Sequence, residues 1–377
     1  MGAVSSLPSL TGAKRLVIKI GSALMVDPQK AAPRHEWLDS VAADVAFLRE
    51  RGVQVCVVSS GAIALARYRL GLTGGALRLA EKQAAASVGQ VLLAQAWAEA
   101  LGRHGMTASQ ILLTVEDTEE RQRYLNGRAT LQTLLEMGCV PVINENDTIA
   151  TAEIRFGDND RLAARIAQMI GADQLVLLSD IDGLYDSDPR SNPEARHLPV
   201  IDQLTPEIMA MGGNPPPGYS SGGMRTKLLA ASMATQSGCA MVIAQGAMNH
   251  PLCAVLEGGR CSWFLPAEEA LTARQQWIAG GLKPGVALVV DAGAREALRQ
   301  GSSLLPAGLV RVEGIFSQGE PVPILDEDGT CLAHGLPAYD SDEVARLVGC
   351  QSDEIAGIIG HEGPDVIVHR NDLAMMP

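Results

Sequence analysis

The sequence predicts an α/β protein: an αβα sandwich around a mainly parallel central sheet, followed by a small, mostly-β C-terminal domain. Three observations predict it. Short apolar strands alternate with helical stretches from residue 15 to residue 244, the pattern of a sheet covered on both faces. Polar clusters follow the strands directly at Gly21-Ser22, Ser59-Ser60-Gly61, residues 144–147 and Ser179-Asp180. In such folds ligands sit beyond the carboxyl ends of strands. The pattern then changes at residues 279–284, where two glycines and a proline mark a linker. The expected organisation is residues 1–275, a linker at 276–283, and a second domain at 284–377.

Residues 15–20 are a β-rich run. Residues 35–51 carry Trp37, Leu38, Val41, Val45 and Leu48 at helical spacing, and Gly52 ends them. Residues 53–58 read as a buried strand, after which Ser59-Ser60-Gly61 turns into another helix. A long helix is expected at 81–103, a strand at 111–114, a helix at 121–137 and a strand at 140–144. Then come a helix at 160–170, a strand at 175–178, a helix at 224–237 and a last strand at 240–244. Beyond the linker, strands are expected at 286–290, 309–315, 321–325 and 366–369. Helices are expected there at 292–300 and 342–347.

Composition narrows the class. A chain of 377 residues suits two domains, and 47% hydrophobic content supports a sizeable core. No apolar run reaches the roughly 18 residues a spanning helix needs, and residues 1–11 lack a basic-then-apolar leader. The seven cysteines are scattered without a CxxC pair, which predicts a reducing, cytoplasmic setting. The net charge is −13, and residues 284–362 alone hold 4 basic and 13 acidic side chains. Such a surface repels phosphate backbones and argues against nucleic acid as a partner. Only six of the 30 basic residues are lysines, so a lysine beside a glycine turn stands out.

Five motifs carry chemistry. Lys19 stands at a strand end before Gly21-Ser22, where an ammonium and close backbone amides suit a phosphate. Ser60 lies in a strand-to-helix turn that suits a carboxylate or phosphate, or simply caps a helix. Residues 144–147 place Asn144 and Asp147 after an apolar strand; Asp147 suits an ammonium and Asn144 a carboxylate or an ammonium. Residues 157–161 set Asp158 and Asp160 around Asn159, and nearby lysines or Mg²⁺ would stabilise both acids. Residues 221–227 run from glycines into a helix carrying Lys227 on its first turn. A lysine there opposes the helix dipole unless an anion lies over the N-terminus. Phosphoryl transfer to an anionic acceptor needs positive charge around the phosphate. Lys19, Lys227 and Mg²⁺ can supply it, with Asp160 orienting both lysines.

The ordered set resembles the glutamate 5-kinase family of the amino acid kinase superfamily. The matching stretches are residues 17–22 (VIKIGS), 58–63 (VSSGAI), 141–147 (PVINEND), 151–154 (TAEI), 156–160 (FGDND), 179–185 (SDIDGLY), 188–190 (DPR) and 222–227 (GGMRTK). Residues 301–308 (GSSLLPAG) and 333–335 (AHG) resemble that family's C-terminal PUA domain. The resemblance implies the amino acid kinase fold and ATP-dependent phosphorylation of the γ-carboxylate of L-glutamate. It implies that Lys19 and Lys227 stabilise the transferring group and that Asp160 orients them. Ser60, Asp147 and Asn159 would bind glutamate, with Asn144 nearby. ATP would lie against Lys19, Gly21, Ser22, Ser179, Asp180, Ser221, Gly222, Gly223, Met224, Arg225, Thr226 and Lys227. Mg²⁺ would be held mainly by ATP, with Asp158 beside it. The family also implies feedback inhibition by proline, expected around residues 115–128 and Glu153, and a homo-oligomer, dimer or tetramer. The sequence departs from the family at Ala23, where a second hydroxyl is usual, and at Ser220-Ser221, where glycine and threonine are expected.

Rival readings are a sister kinase acting on N-acetylglutamate, aspartate or UMP, and an RNA-binding protein. Asp147 favours a free amino acid, because N-acetylglutamate has no ammonium to pair with it. The acidic tail, whose aromatics are Phe316 and Tyr339, argues against RNA. A dinucleotide-binding dehydrogenase is disfavoured, since no G-x-G-x-x-G follows the first strand.

Overall fold

Strand β1 (Arg15–Ile20) decides which face of the protein each of its side chains enters. A strand alternates with period two. Leu16, Ile18 and Ile20 enter one apolar core, whereas Val17 enters the other. Lys19 shares the phase of Val17, so its ammonium is carried to that second face. A one-residue slip would turn the lysine into the opposite core.

In the computed structural model the described residues are 8–27, 32–72, 75, 77–149, 159–213, 223–266, 285–361 and 363–376. The chain divides into two compact units, Met1–Ala267 and Glu268–Pro377. The expected linker, 276–283, lies outside the described residues.

Besides a two-residue pair, Val26–Asp27 with Ala32–Pro33, the remaining described strands of the first unit are β2 (Gln54–Ser59), β3 (Ala108–Leu113), β4 (Val140–Glu145), β5 (Gln174–Ser179), the hairpin β6 (Leu184–Tyr185) and β7 (His197–Leu198), β8 (Val200–Ile201), β9 (Ala240–Gln245) and β10 (Cys261–Phe264). Seven of them and β1 form one eight-stranded sheet in the order β8-β10-β9-β5-β1-β2-β4-β3. From β9 to β3 every pairing is parallel. The exception is β10, which runs antiparallel to β9. The sequence reading ended the strands at residue 244 and did not foresee β10. Four residues after a Gly-Gly-Arg turn are too few to show a period.

Helices α1 (His35–Arg49), α2 (Ala62–Arg69) and α3 (Leu79–Arg103) cover one face, through Trp37, Val41, Val45, Leu93 and Trp97. Helices α4 (Arg121–Glu136), α5 (Asn159–Ile170) and α6 (Met224–Gln236) cover the other, through Leu131, Ile166, Met169, Leu228 and Ala231. Each fully buried aliphatic side chain contributes about 1.5–3 kcal/mol, so the two cores fix the strand phases. Gly89 lets α3 lie directly on α2. A Cβ there would come within 1.7 Å of the Ala62 carbonyl oxygen.

The second unit is a five-stranded sheet of β11 (Ala287–Val290), β12 (Leu309–Glu313), β13 (Val322–Asp326), β14 (Cys331–Gly335) and β15 (Leu373–Met375), in the order β12-β11-β13-β14-β15. Here two expectations fail. Residues 366–369 are not a strand; Val368 makes only an isolated bridge to Leu304. Val366, Ile367 and Val368 are all buried, and Ile367 and Val368 join the apolar core of this unit. Strands β14 and β15 were not expected, being runs of five and three residues without clear alternation. Phe316 and Tyr339 are both buried, and the Tyr339 hydroxyl donates to the Pro364 carbonyl. Neither offers a face on which a base could stack.

Candidate active site

The carboxyl ends of β5, β1, β2 and β4 lie side by side in the sheet, and α5 begins beside them. The chain must turn sharply after β2. Gly61 makes that turn at φ 117°, a left-handed conformation that costs a side-chain-bearing residue strain. Ser60 sits at the same turn, its amide donating to the Ile20 carbonyl at 3.0 Å. The end of β1 is thereby tied to the start of α2.

Asp160, in the first turn of α5, is fully buried between two lysines. Its Oδ1 lies 2.5 Å from Lys19 Nζ, and its Oδ2 accepts from Lys227 Nζ at 3.0 Å. The Thr226 hydroxyl, 3.0 Å from the same Oδ2, also lies 2.8 Å from the Gly223 carbonyl. The lysine side chains are only 8% and 7% exposed. Burial alone would push the Asp160 carboxyl up, but the ammonium groups of Lys19 and Lys227 override it and hold it below its ordinary value. The sign follows: this carboxylate contributes stability above its unfolded pKa and loses it as pH falls through the depressed folded value. Two ammonium groups against one carboxylate leave a net positive charge in a buried place. An arriving anion completes it.

Gly21 borders this cluster. A Cβ on it would lie 3.8 Å from Lys19 Nζ, so glycine keeps the approach to the ammonium open. Ser22 begins a short helical turn (Ser22–Met25) and is exposed, as is Ala23. Met224 and Arg225 open α6 after Gly223, Met224 half-buried and Arg225 exposed. Ser179 ends β5, and its hydroxyl donates to Asp180 Oδ1 at 3.1 Å. Asp180 also holds Arg190 at 2.6 Å. Desolvation raises the Asp180 carboxyl, and the bonds from Arg190 and Ser179 bring it below its ordinary value.

On the other side of β1 lies an amide network. Asn159 Nδ2 donates to Ser60 Oγ at 2.5 Å and to Asn144 Oδ1 at 3.1 Å. Asn144 Nδ2 donates to Gln90 Oε1 at 2.8 Å. Asn159 Oδ1 is buried and has no hydrogen-bond partner among the described residues. Asp147, after β4, has no hydrogen bond or ion pair among the described residues, and burial pushes its carboxyl up to about 6. A carboxyl so placed gains from an incoming cation.

The structure therefore brings Lys19, Asp160, Lys227 and Thr226 into one cluster and Ser60, Asn144 and Asn159 into another. Asn159 and Asp160 are consecutive, so the first turn of α5 belongs to both. Of the sequence-derived candidates, Asp158, Ser221, Gly222 and Glu153 lie outside the described residues. No group of three or more potential metal ligands exists among the described residues. Sequence reasoning missed Gln90 and Trp97, whose indole donates to Ser59 Oγ at 2.9 Å. Both lie mid-helix in α3, where no local pattern marks a polar contact.

Residues 14–245 match the Amino acid kinase family, and residues 287–359 match the PUA domain. The chain is 61% identical over 375 residues to a glutamate 5-kinase of Gluconobacter oxydans, covering 100% of this chain and 99% of that protein. It is 55% identical over 366 residues to a glutamate 5-kinase of Paramagnetospirillum magneticum, covering 97% and 99%. It is 56% identical over 367 residues to a glutamate 5-kinase 1 of Rhizobium meliloti, covering 97% and 93%.

Proposed function

The chain belongs to the amino acid kinase family and, within it, to the glutamate 5-kinases, and from that premise we propose roles for its site residues. The activity is ATP-dependent phosphorylation of the γ-carboxylate of L-glutamate, the first step of proline biosynthesis. One observation carries the assignment of roles. The first turn of α5 joins a buried, net-positive Lys-Asp-Lys cluster, through Asp160, to an amide network, through Asn159. A phosphoryl donor belongs at the first and an amino acid at the second.

In this reading the ATP phosphates lie over Lys19, Gly21, Ser22 and the start of α6, from Gly223 to Lys227, with Ser221 and Gly222 before it. Ser179 and Asp180 border the nucleotide. Glutamate lies against Ser60, Asn159, Asn144 and Asp147, with Asp147 facing the α-ammonium. A γ-carboxylate oxygen attacks the γ-phosphorus in line, forming one P–O bond as the bond to the leaving ADP oxygen breaks. The acceptor is already ionised at neutral pH, so no general base is needed. The two lysines offset the repulsion between carboxylate and triphosphate and the charge that grows in transit. Asp160 holds both lysines in place. The donor set suits Mg²⁺ carried by ATP, since Asp160 is taken up by lysines. Mg²⁺ needs few protein carboxylates when phosphates supply the rest. Asp158 would be its protein neighbour.

Hydroxylamine trapping tests the reading. With ATP and Mg²⁺, hydroxamate is expected from L-glutamate and not from N-acetyl-L-glutamate or L-aspartate. Product from either of those alone would move the chain to a sister kinase. Millimolar proline is expected to suppress the signal at a site near residues 115–128 and Glu153; undiminished signal would remove that part.

The domain reading is a kinase domain at 1–275, a linker at 276–283 and a PUA-like domain at 284–377. Homo-oligomerisation as dimer or tetramer belongs to the same reading. Its support is the exposed apolar side chains of Val88 and Val91 on α3 and of Tyr68 and Leu70 at the end of α2. A monomeric mass in solution would overturn it. The seven free cysteines suit a reducing cytoplasm. No helix among the described residues is long and apolar enough to cross a membrane.

A further inference from the structure

Gln90 lies on α3, 54 residues before Asn144, and belongs to no strand-end motif. Its Oε1 accepts from Asn144 Nδ2 at 2.8 Å. That bond commits the Asn144 amide, because with Nδ2 turned to Gln90 its Oδ1 must face Asn159. Asn159 Nδ2 has two protons, and it donates to both Asn144 Oδ1 and Ser60 Oγ. Its own Oδ1 is then left buried and without a partner among the described residues. The Ser60 hydroxyl, already accepting, keeps its proton to donate. Each group in the series is thus oriented by the one before it, and Gln90 stands at the head.

We infer that Gln90 is a positioning residue that sets the direction of this relay and thereby the site's preference for an α-amino acid. The inference rests on the reading of Ser60, Asn159 and Asp147 as the acceptor site. Run in this direction, the relay turns an acceptor oxygen of Asn159, together with Asp147, toward an ammonium. It leaves the Ser60 hydroxyl as a donor for a carboxylate. Run in the other direction, Asn159 would present its NH₂ group, a donor facing a donor, and the ammonium would lose its partner. The position of Gln90 is itself held by its neighbour. Gly89 packs where a Cβ would fall 1.7 Å from the Ala62 carbonyl oxygen. Ala62 begins α2, two residues after Ser60, so the helix that carries Gln90 is locked to the turn that carries Ser60.

Two substitutions separate polarity from packing. Gln90→Glu keeps an acceptor and loses the donor; Gln90→Met keeps the length and loses the hydrogen bond. Steady-state kinetics are measured by hydroxamate formation at pH 7.5, with thermal midpoints to verify folding. Gln90→Met is expected to raise the glutamate KM about tenfold or more, while the ATP KM and the kcat at saturating glutamate change by less than about threefold. Gln90→Glu is expected to stay within about threefold of wild type in all three. The inference is overturned if Gln90→Met keeps its glutamate KM, if Gln90→Glu loses as much as Gln90→Met, or if ATP and glutamate KM rise together. These outcomes are separable from failure of the functional reading. Wild-type protein yielding no hydroxamate from glutamate would sink that reading, whatever the variants do.

Discussion

Replacing Asp160 with asparagine is expected to lower kcat by about 10³, or about 4 kcal/mol of transition-state stabilisation. The size follows from what the carboxylate does. It lies 2.5 Å from one ammonium and accepts from the other at 3.0 Å, at full burial. Unit charges about 4 Å apart interact by about 4 kcal/mol at the effective dielectric of a protein. Without the carboxylate, Lys19 and Lys227 repel one another and lose the geometry that offers them to a phosphoryl group. The fold feels the same loss. Removing one partner from a buried ion cluster costs roughly 3–5 kcal/mol, so the thermal midpoint should fall by on the order of 10 °C. ATP then distinguishes the two effects. The triphosphate supplies the missing negative charge, so saturating ATP should recover more of the midpoint in Asp160→Asn than it adds to wild type. Near-normal kcat in the folded variant would show that Asp160 does not organise the lysines for catalysis.

The second large effect is expected from pH. Burial pushes the Asp147 carboxyl up to about 6. The folded, unliganded protein therefore holds that proton more tightly than the unfolded chain. The associated stability is present at low pH and is lost as pH rises through about 6. An ammonium arriving beside the carboxylate favours ionisation, so glutamate binding near pH 6 should release a proton. Below about 6 the wild-type glutamate KM should rise, approaching tenfold per pH unit. The kcat at saturating glutamate should show no matching step. The substrate's own γ-carboxyl titrates near 4.3 and cannot produce this step. Asp147→Asn should raise the KM at pH 7.5 by about a hundredfold, within the range for unpairing a buried charge, and should erase the pH dependence. A flat wild-type KM between pH 7.5 and 5 would show that Asp147 does not face the ammonium.

Both predictions concern residues that are visible in the sequence, and the reason is local. Lys19, Ser60, Asn144 and Ser179 stand where an apolar run stops, and strand ends in a parallel sheet are where ligands gather. The phase of β1 even gives the side of the sheet: Lys19 shares it with Val17, away from Leu16, Ile18 and Ile20. The alternation of strands and helices, the change at residues 279–284 and the acidic character of the tail are likewise properties of short windows or of composition.

Other features depended on which distant surfaces meet. Asp160 reads locally as one of two acids at a helix start. Its full burial between Lys19 and Lys227 exists because α5 and α6 share one face of β1. Gln90 reads as a polar residue in an alanine-rich helix. Its bond to Asn144 depends on Gly89 admitting α3 onto α2. Strand β10 pairs antiparallel with β9, and Ile367 and Val368 enter the core of the second unit beside Leu304 instead of forming a strand. Period and strand-end chemistry are written into neighbouring residues, so the sequence alone determined the layers and most of the site. The sequence also named Lys19 and Lys227 as the lysines Asp160 orients. The full burial of Asp160 between them and the bond of Gln90 to Asn144 are set by side-chain packing between segments far apart in the chain, which no local spacing encodes, so only the tertiary structure decided those.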